Sequence, residues 1–242
     1  MRNHYLARQL RNRIHGLQGW VGAGLDLLFP IQCAGCGRSG AIWCKECDAS
    51  MVKLTEPLCR KCGYPLRSRG SCPSCASRTP SLQVRSYVRY KGRVAQALLR
   101  LKYRPDKRLA SMMGSWLEEL YVRQGWNVEV VVPVPLSRQK MQVRGFNQAA
   151  LLAKAFGNRA RLRVELDDLR RVKDTRSQVG LDPDARWRNV RKAFSVESLL
   201  FEGANVLVLD DLFTTGATLS ACAAAIRAAG ADSVVGLTVA RA

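Results

Sequence analysis

Apolar and polar residues alternate from Val84 to Tyr90, the period of a half-buried strand, and a Lys91-Gly92 turn leads on to Arg93–Lys102. There Val94, Ala97, Leu98 and Leu101 recur at helical spacing. Leu109 to Tyr121 repeats the pattern with Met112, Met113, Trp116, Leu117 and Leu120, which read as a core-facing stripe rather than a cofactor site. Two unbroken apolar runs follow, Val128 to Val134 and Val206 to Leu209. Short continuous runs of this kind have the composition of strands buried on both faces of a parallel sheet. Each leads into a loop and then a helical pattern, and Ser233 to Val239 predicts a last strand. Strands alternating with helices predict an α/β fold with a parallel-rich sheet flanked by helices.

The second apolar run opens the stretch NVLVLDDLFTTGATL, Asn205 to Leu219. In an open parallel sheet ligands bind beyond the carboxyl ends of the strands, which is where this pattern puts Asp210 and Asp211. Gly216 allows an anion to approach the backbone closely, and Thr214, Thr215 and Thr218 supply hydroxyls. With Ala217, they lead to the N-terminus of an Ala-rich helix whose free N–H groups face the same spot. The pattern is that of a phosphate cradle. No Gly-Lys-Ser/Thr follows, which excludes a Walker loop, and a single glycine in the turn excludes a dinucleotide fingerprint. The first run leads into VPLSRQKMQVRG, where Arg138, Lys140 and Arg144 occupy an expected loop ending at Gly145, suited to a diphosphate. A surface turn with capping acids is the competing reading of the first stretch.

Eight of the nine cysteines form four Cys-x-x-Cys pairs, Cys33/Cys36, Cys44/Cys47, Cys59/Cys62 and Cys72/Cys75. With no secretory signal legible in the first 30 residues, thiols rather than disulfides are expected, and a Cys-x-x-Cys turn places two sulfurs on one zinc ion. Consecutive pairs sharing an ion give a double zinc ribbon with two structural Zn²⁺ ions; an interleaved pairing, first with third and second with fourth, stays open. Zinc binding would supply on the order of 10 kcal/mol per site to a module with too little apolar area to fold alone.

The chain of 242 residues accordingly divides into a basic and amphipathic segment (1–30), the ribbon (31–78), and an α/β domain (82–242). In the first segment Val21, Leu25, Leu28 and Phe29 share one helical face, expected to pack on the protein rather than on lipid. Composition sharpens this picture through charge. The formal net charge is +20, counted as +3 over 1–32, +4 over 33–76, +15 over 77–200 and −2 over 201–242. The excess surrounds the cradle rather than lying in it, and favours polyanions. Arg100, Lys102, Arg104, Lys107 and Arg108 cluster about Tyr103, suited to phosphate contacts with base stacking, or simply a solvated helix end. No stretch approaches the roughly 20 apolar residues of a spanning helix, so the expected location is the cytoplasm, with the inner membrane face as a candidate site of action. Cys222 reads as a packed small hydrophobe and Asp167-Asp168 as a surface turn. His4 and His15 lie in the N-terminal segment, leaving no support for histidine catalysis.

The run of four apolar residues, two acids and Thr-Thr-Gly-x-Thr resembles the phosphoribosyl-pyrophosphate signature of type I phosphoribosyltransferases. That resemblance implies that Asp210 and Asp211, the catalytic pair, hold the ribose hydroxyls, that Thr214 to Thr218 wrap the 5-phosphate, and that Mg²⁺ accompanies the diphosphate. RGFNQAALLAKA, Tyr90-x-Gly92, Leu101-Lys102-Tyr103 and the ribbon ahead of the domain resemble the ComF family of competence and DNA-utilisation proteins. Residues 165–194, with Thr175, Gln178, Leu181, Arg186 and Asn189 in that family's spacing, would be the hood loop, and Arg170, Arg171, Lys173 and Arg176 could reach a diphosphate; a plain surface hairpin is the alternative. The resemblance implies ligands in phosphoribosyl pyrophosphate or a ribose phosphate and in single-stranded DNA, with a DNA-translocating ATPase of the competence machinery as a candidate partner. Three functions remain in play: a DNA-handling protein with a ligand-binding cradle, an active phosphoribosyltransferase on an unidentified amine or base, and a ribbon adaptor with a vestigial cradle.

Overall fold

The computed structural model describes residues 30–77, 82–172, 193–197 and 199–242. Five parallel strands form the central sheet: β1 (Gln83–Arg89), β2 (Val130–Pro133), β3 (Arg163–Val164), β6 (Asn205–Phe213) and β7 (Ser233–Arg241), in the order β1-β7-β6-β2-β3. The helices α3 (Gly92–Tyr103), α4 (Lys107–Gln124), α6 (Gln148–Ala160) and α7 (Ala217–Ala228) cover its two faces. β2 is buried throughout, as is the apolar run Val206–Leu209 of β6, and most of β7 is buried as well. A separate antiparallel pair, β4 (Leu169–Arg171) and β5 (Phe194–Val196), carries the described part of the expected hood.

Local signals account for the helix ends. Asp106 caps α4 by accepting from the N–H groups of Arg108 and Leu109, each at 3.0 Å, and Gly125 ends it in the left-handed region. Gly114 lets α4 pass close to α6, because a Cβ there would lie 3.1 Å from the carbonyl carbon and Cβ of Ala155. One face of the sheet is filled by α3, α4 and α6, where Tyr87 stacks on Trp116 at 5.6 Å and Trp43 of the ribbon meets Trp116 edge-on at 5.3 Å. Aromatic pairs of this kind add about 0.5–1.5 kcal/mol each beyond area burial.

Two expectations need correction. The basic stretch after β2 was expected as a loop, yet Arg138–Arg144 is a short helix, α5. Ser137 caps it through Lys140 N–H at 3.3 Å and Gly145 ends it at φ 75°, so the capping signals prevail over the lack of an apolar stripe. The buried strand was expected to end at Leu209. It runs to Phe213, because β7 continues alongside as far as Arg241 and pairs Asp210 with Thr238 and Phe213 with Arg241. The two acids therefore sit within the last turns of β6 pairing and point to opposite sides of the strand.

The cysteine-rich segment wraps the β1 edge of the sheet. Leu54 N–H donates to Tyr87 O and Arg89 N–H to Val52 O, both at 2.9 Å, and Lys53 bridges Val88, so the connection between the ribbon halves blocks an edge open to pairing. Short helices α1 (Lys45–Ala49) and α2 (Pro73–Ser77) carry Cys47 and Cys75. Buried Arg85 ties the second half to the sheet, donating to the carbonyls of Cys59 and Arg60 and, through Nε, to Gln124 Oε1 at 3.0 Å.

Candidate functional site: a cleft at the strand ends and two thiolate clusters

At the carboxyl ends of β2 and β6 lies a cleft of about 370 Å³. Asp210, Asp211, Thr214, Gly216, Ala217 and Thr218 form one wall; Lys140 and Arg144 of α5 face it, with Arg171 of β4 also on the lining. Gly216 has φ 80°, where a Cβ would meet the Phe213 ring at 2.9 Å, and it starts α7, whose N-terminus opens on the cleft. Thr215 Oγ1 accepts from Ala217 N–H at 3.4 Å, stiffening the turn. Arg138 is exposed on α5 and is not part of the wall. Lys173, Thr175 and Gln178, together with Arg176, Leu181, Arg186 and Asn189, lie outside the described residues, as does the apolar face within 1–29.

The two acids are held differently. Asp211, 6 % exposed, accepts from Gln148 Nε2 at 3.2 Å through Oδ1, while Lys102 Nζ stands 3.8 Å from Oδ2. Gln148, itself buried, accepts in turn from Arg144 Nη1, linking the basic face of the cleft to the acid. Asp210 Oδ1 accepts from Asp211 N–H at 2.8 Å. Desolvation first, then the neighbouring Asp211 carboxylate, pushes the Asp210 carboxyl well above the usual carboxylate range. Across the cleft partial desolvation, followed by the like charges of Arg171, Lys102 and Arg144, lowers the Lys140 ammonium below its ordinary value, and Asp210 acts in the opposite sense. The arrangement offers an anion several cations whose mutual repulsion it would relieve, and offers hydroxyl groups a pair of close carboxylates.

Lys102 and Gln148 were not singled out as site residues from sequence. Lys102 stood within a basic run and Gln148 within the RGFNQ stretch, and only their contacts with Asp211 distinguish them. The run about Tyr103 is also less uniform than its composition suggests. Arg100 is engaged by Asp106 at 3.0 Å and by Gln32 O at 3.1 Å, whereas Arg104, Lys107 and Arg108 are exposed beside a Tyr103 that is 72 % exposed. The Arg144 guanidinium stands 6.0 Å over the Tyr103 ring, bringing that run to the rim of the cleft.

The cysteines close into two four-sulfur clusters, Cys33/Cys36/Cys44/Cys47 and Cys59/Cys62/Cys72/Cys75, the sulfurs of each lying within 4.8 Å of one another. Consecutive pairs share a site, which disposes of the interleaved alternative. A tetrahedron of thiolates about 2.3 Å from zinc has edges of about 3.8 Å. The Cys33–Cys47, Cys36–Cys44 and Cys62–Cys72 separations are 3.6 Å, so the residues fit the ion. Backbone N–H groups of Cys44 and Cys72 donate to Cys33 Sγ at 3.4 Å and Cys59 Sγ at 3.3 Å. Burial opposes ionisation of Cys33 and Cys59, yet these and neighbouring backbone donors outweigh it and bring each thiol to about 6. Zinc held by these four cysteines would supply folding energy and leave no position open for catalysis. Cys222 is fully buried in α7, as expected of a packed small hydrophobe.

A parallel sheet with a Thr-Thr-Gly turn at its strand ends, a small antiparallel pair beside it and a cysteine-rich module across its edge gives a type I phosphoribosyltransferase-like fold preceded by a double zinc ribbon. Residues 24–76 match the family model of the double zinc ribbon domain. Beyond the ribbon, the chain is similar to competence and DNA-utilisation proteins over about four fifths of its length. It is 28% identical over 211 residues to competence protein ComFC of Bacillus subtilis, covering 82% of this chain and 83% of that one. To DNA utilization protein YhgH of Escherichia coli K12 it is 27% identical over 198 residues, covering 79% and 86%. Competence protein F of Haemophilus influenzae is 27% identical over 200 residues, with 79% and 86% covered. Among solved structures, the glutamine phosphoribosylpyrophosphate amidotransferase of B. subtilis superposes with a TM-score of 0.41 at 21% identity, over 58% of this chain and 30% of that longer one. Orotate phosphoribosyltransferase of Mycobacterium tuberculosis gives 0.34 at 20% identity, over 64% and 67%. No helix among the described residues is long and apolar enough to cross a membrane.

Proposed function

We propose that the cleft binds phosphoribosyl pyrophosphate or a related ribose 5-phosphate compound and that the basic surface handles single-stranded DNA during natural transformation or the use of external DNA. The observation that carries the ligand half is the convergence of the Thr214–Thr218 turn, the acids of β6 and the cations Lys140 and Arg144 on one cleft. In this reading the α7 N-terminus and Thr218 hold the 5-phosphate, Asp210 and Asp211 accept from the ribose hydroxyls, and Lys140, Arg144 and Arg171 face the diphosphate. Mg²⁺ prefers oxygen ligands and keeps several waters. Both Asp211 oxygens already face Gln148 and Lys102, so the ion would arrive on the diphosphate rather than in a protein cage.

The nucleic-acid half rests on the charge excess of residues 77–200 and on the exposed Tyr103 among Arg104, Lys107 and Arg108 at the cleft rim. Both ligands would meet on the strand-end side of the sheet. A DNA-translocating ATPase remains the candidate partner that would deliver the strand.

The test is thermal stability of the zinc-loaded protein with phosphoribosyl pyrophosphate and Mg²⁺. Ligand at 100 times its dissociation constant stabilises the native state by about 2.7 kcal/mol, and Asp210→Asn with Asp211→Asn should remove that shift while leaving zinc content unchanged. Absence of any shift in the wild type at millimolar ligand would reject the ligand half. If the shift appears, pyrophosphate release on adding candidate amines or bases distinguishes an enzyme from a ligand-binding protein.

A further inference from the structure

A second cleft, of about 320 Å³, lies where the second half of the ribbon meets the carboxyl ends of β1 and β7. Its wall is made by Tyr64, Pro65, Arg89, Tyr90, Lys91, Arg241 and Ala242. Two aromatic rings and three cations share it, and no acidic side chain does. Arg89 and Lys91 are exposed and form none of the ion pairs found among the described residues, whereas Arg100, Lys102, Arg159 and Arg170 each have a carboxylate.

Arg241 has a different task. It donates to Cys62 O at 2.6 Å, and its guanidinium lies between the Tyr64 ring at 5.2 Å and the Phe213 ring at 4.7 Å. It therefore backs one face of Tyr64 and fixes the ring in place, and Tyr64 remains 46 % exposed. The backbone at Tyr90 is tied to the same residue, its N–H donating to Arg241 O at 2.6 Å. Phe213 is also part of the phosphate-cradle cleft, so the two clefts stand on either side of one Phe213–Arg241 wall. The loop bearing Tyr64 continues through exposed Arg67 and Arg69.

A rigid aromatic ring with one open face, flanked by cations that enter none of the ion pairs among the described residues and with no Asp or Glu on the cleft lining, has the chemistry of a nucleotide subsite. Bases stack on aromatic faces without regard to sequence, and flanking Lys and Arg neutralise the phosphates on either side. A duplex hides its base faces, so a stacking platform of this kind suits single strands. We propose that this cleft is a single-strand binding subsite, with a base on Tyr64 and phosphates on Arg89 and Lys91. The ribbon then serves binding directly, because its loop supplies the platform that the sheet edge supplements with charge. The inference rests on the nucleic-acid half of the function proposed above and assigns it a place distinct from the Tyr103 rim.

The experiment measures binding of a fluorescent 30-nucleotide oligo-dT to the full-length zinc-loaded protein by anisotropy across a salt series. Variants are Tyr64→Ala, Tyr64→Phe, and Arg89→Glu with Lys91→Glu, each checked for two zinc ions and an unchanged melting temperature. Loss of a stacked base should weaken binding roughly 5- to 150-fold in Tyr64→Ala, with Tyr64→Phe close to wild type. Loss of two phosphate contacts should reduce the slope of log K against log salt by about 1.4 in magnitude. Unchanged affinity and slope in the folded variants would overturn the subsite while leaving DNA binding elsewhere intact. No binding by the wild type at low salt would instead defeat the nucleic-acid half of the proposed function, and the subsite with it. Free dTMP competing as well as the oligonucleotide, nucleotide for nucleotide, would overturn the single-strand assignment in favour of a mononucleotide.

Discussion

Lys102 Nζ lies 3.8 Å from Asp211 Oδ2, a contact between the end of α3 and the acid that β6 carries to the cleft. Lys102 is partly exposed and Asp211 nearly closed off, with side chains 30% and 8% accessible, so the pair is half screened and Asp211 depends on it. Lys102→Met would leave the Asp211 carboxylate, next in sequence to Asp210, with only Gln148 as a side-chain donor. A loss of about 1–2 kcal/mol of stability is expected from an acid left short of a partner, read as a lower urea midpoint with unchanged m-value. Gln148→Leu should lower stability by a similar amount and, unlike Lys102→Met, leave the charge of the cleft unaltered. Comparing their affinities for inorganic pyrophosphate then separates charge from positioning.

The Asp210 carboxyl makes the opposite prediction. Its folded-state pKa is raised by burial and by Asp211, so above the ordinary aspartate value of about 3.9 the unfolded chain ionises more readily than the native one. The group therefore costs stability as pH rises from that value through its raised native pKa, and the cost vanishes below it. Asp210→Asn should raise the melting temperature of the ligand-free protein, and the gain should grow as pH increases. A gain that shrinks with increasing pH, or a loss at every pH, would contradict the raised carboxyl. The comparison is best made between pH 6 and 8.5, where the thiolate clusters stay loaded.

The Lys140 ammonium, lowered by partial desolvation and by its cationic neighbours, gives pH dependence to anion binding. A bound phosphate favours the charged form, so binding is coupled to protonation of Lys140. Affinity for pyrophosphate should fall as pH rises through the lowered pKa, with proton uptake measurable by calorimetry in two buffers of different ionisation enthalpy. Lys140→Met should bind more weakly and lose that component of the pH dependence.

What could be read in advance follows from the range of the interactions involved. Cys-x-x-Cys pairs and the Asp-Asp-x-x-Thr-Thr-Gly turn are contiguous in sequence, so residue type and spacing already state their chemistry. The unbroken apolar runs likewise predicted the buried strands β2 and β6. Lys102 and Gln148 became site residues only when folding brought them to Asp211, from which Gln148 is separated by 63 positions. The end of β6 was misjudged for the same reason, since its last residues are fixed by pairing with β7 rather than by their own composition. Arg241 could not be anticipated at all: its role depends on a ring from the ribbon, a ring from β6 and a carbonyl beside a cysteine, all meeting at one guanidinium.

Gly216 combines a positive φ with contact to Phe213, so substitution there acts on the fold as well as the cradle. Gly216→Val would block phosphate approach, yet its Cβ would first meet the Phe213 ring at 2.9 Å in a strained backbone conformation. The left-handed region alone costs a non-glycine residue about 1–2 kcal/mol. Gly216→Ala should therefore lower stability by at least that amount without ligand, seen in chemical denaturation. Loss of ligand response in this variant is informative only when normalised to its own lower baseline.

The two thiolate clusters should not lose zinc together. Cys59, Cys62, Cys72 and Cys75 are all buried and pack with Leu82, Val84 and Val234 in the core beneath the sheet. In the other cluster Cys36 and Cys44 are only half-buried, so solvent and chelator reach it directly. A chromogenic chelator in excess should release one ion quickly and the second only as the protein opens, with the slow phase following the global unfolding rate in a urea series. Cys33→Ser with Cys36→Ser should delete the fast phase and leave a folded protein holding one ion. Cys59→Ser with Cys62→Ser should delete the slow phase and lower the melting temperature far more, because its thiols belong to the core and Cys62 O holds Arg241. Two ions leaving in a single phase would show that the halves of the ribbon open as one unit.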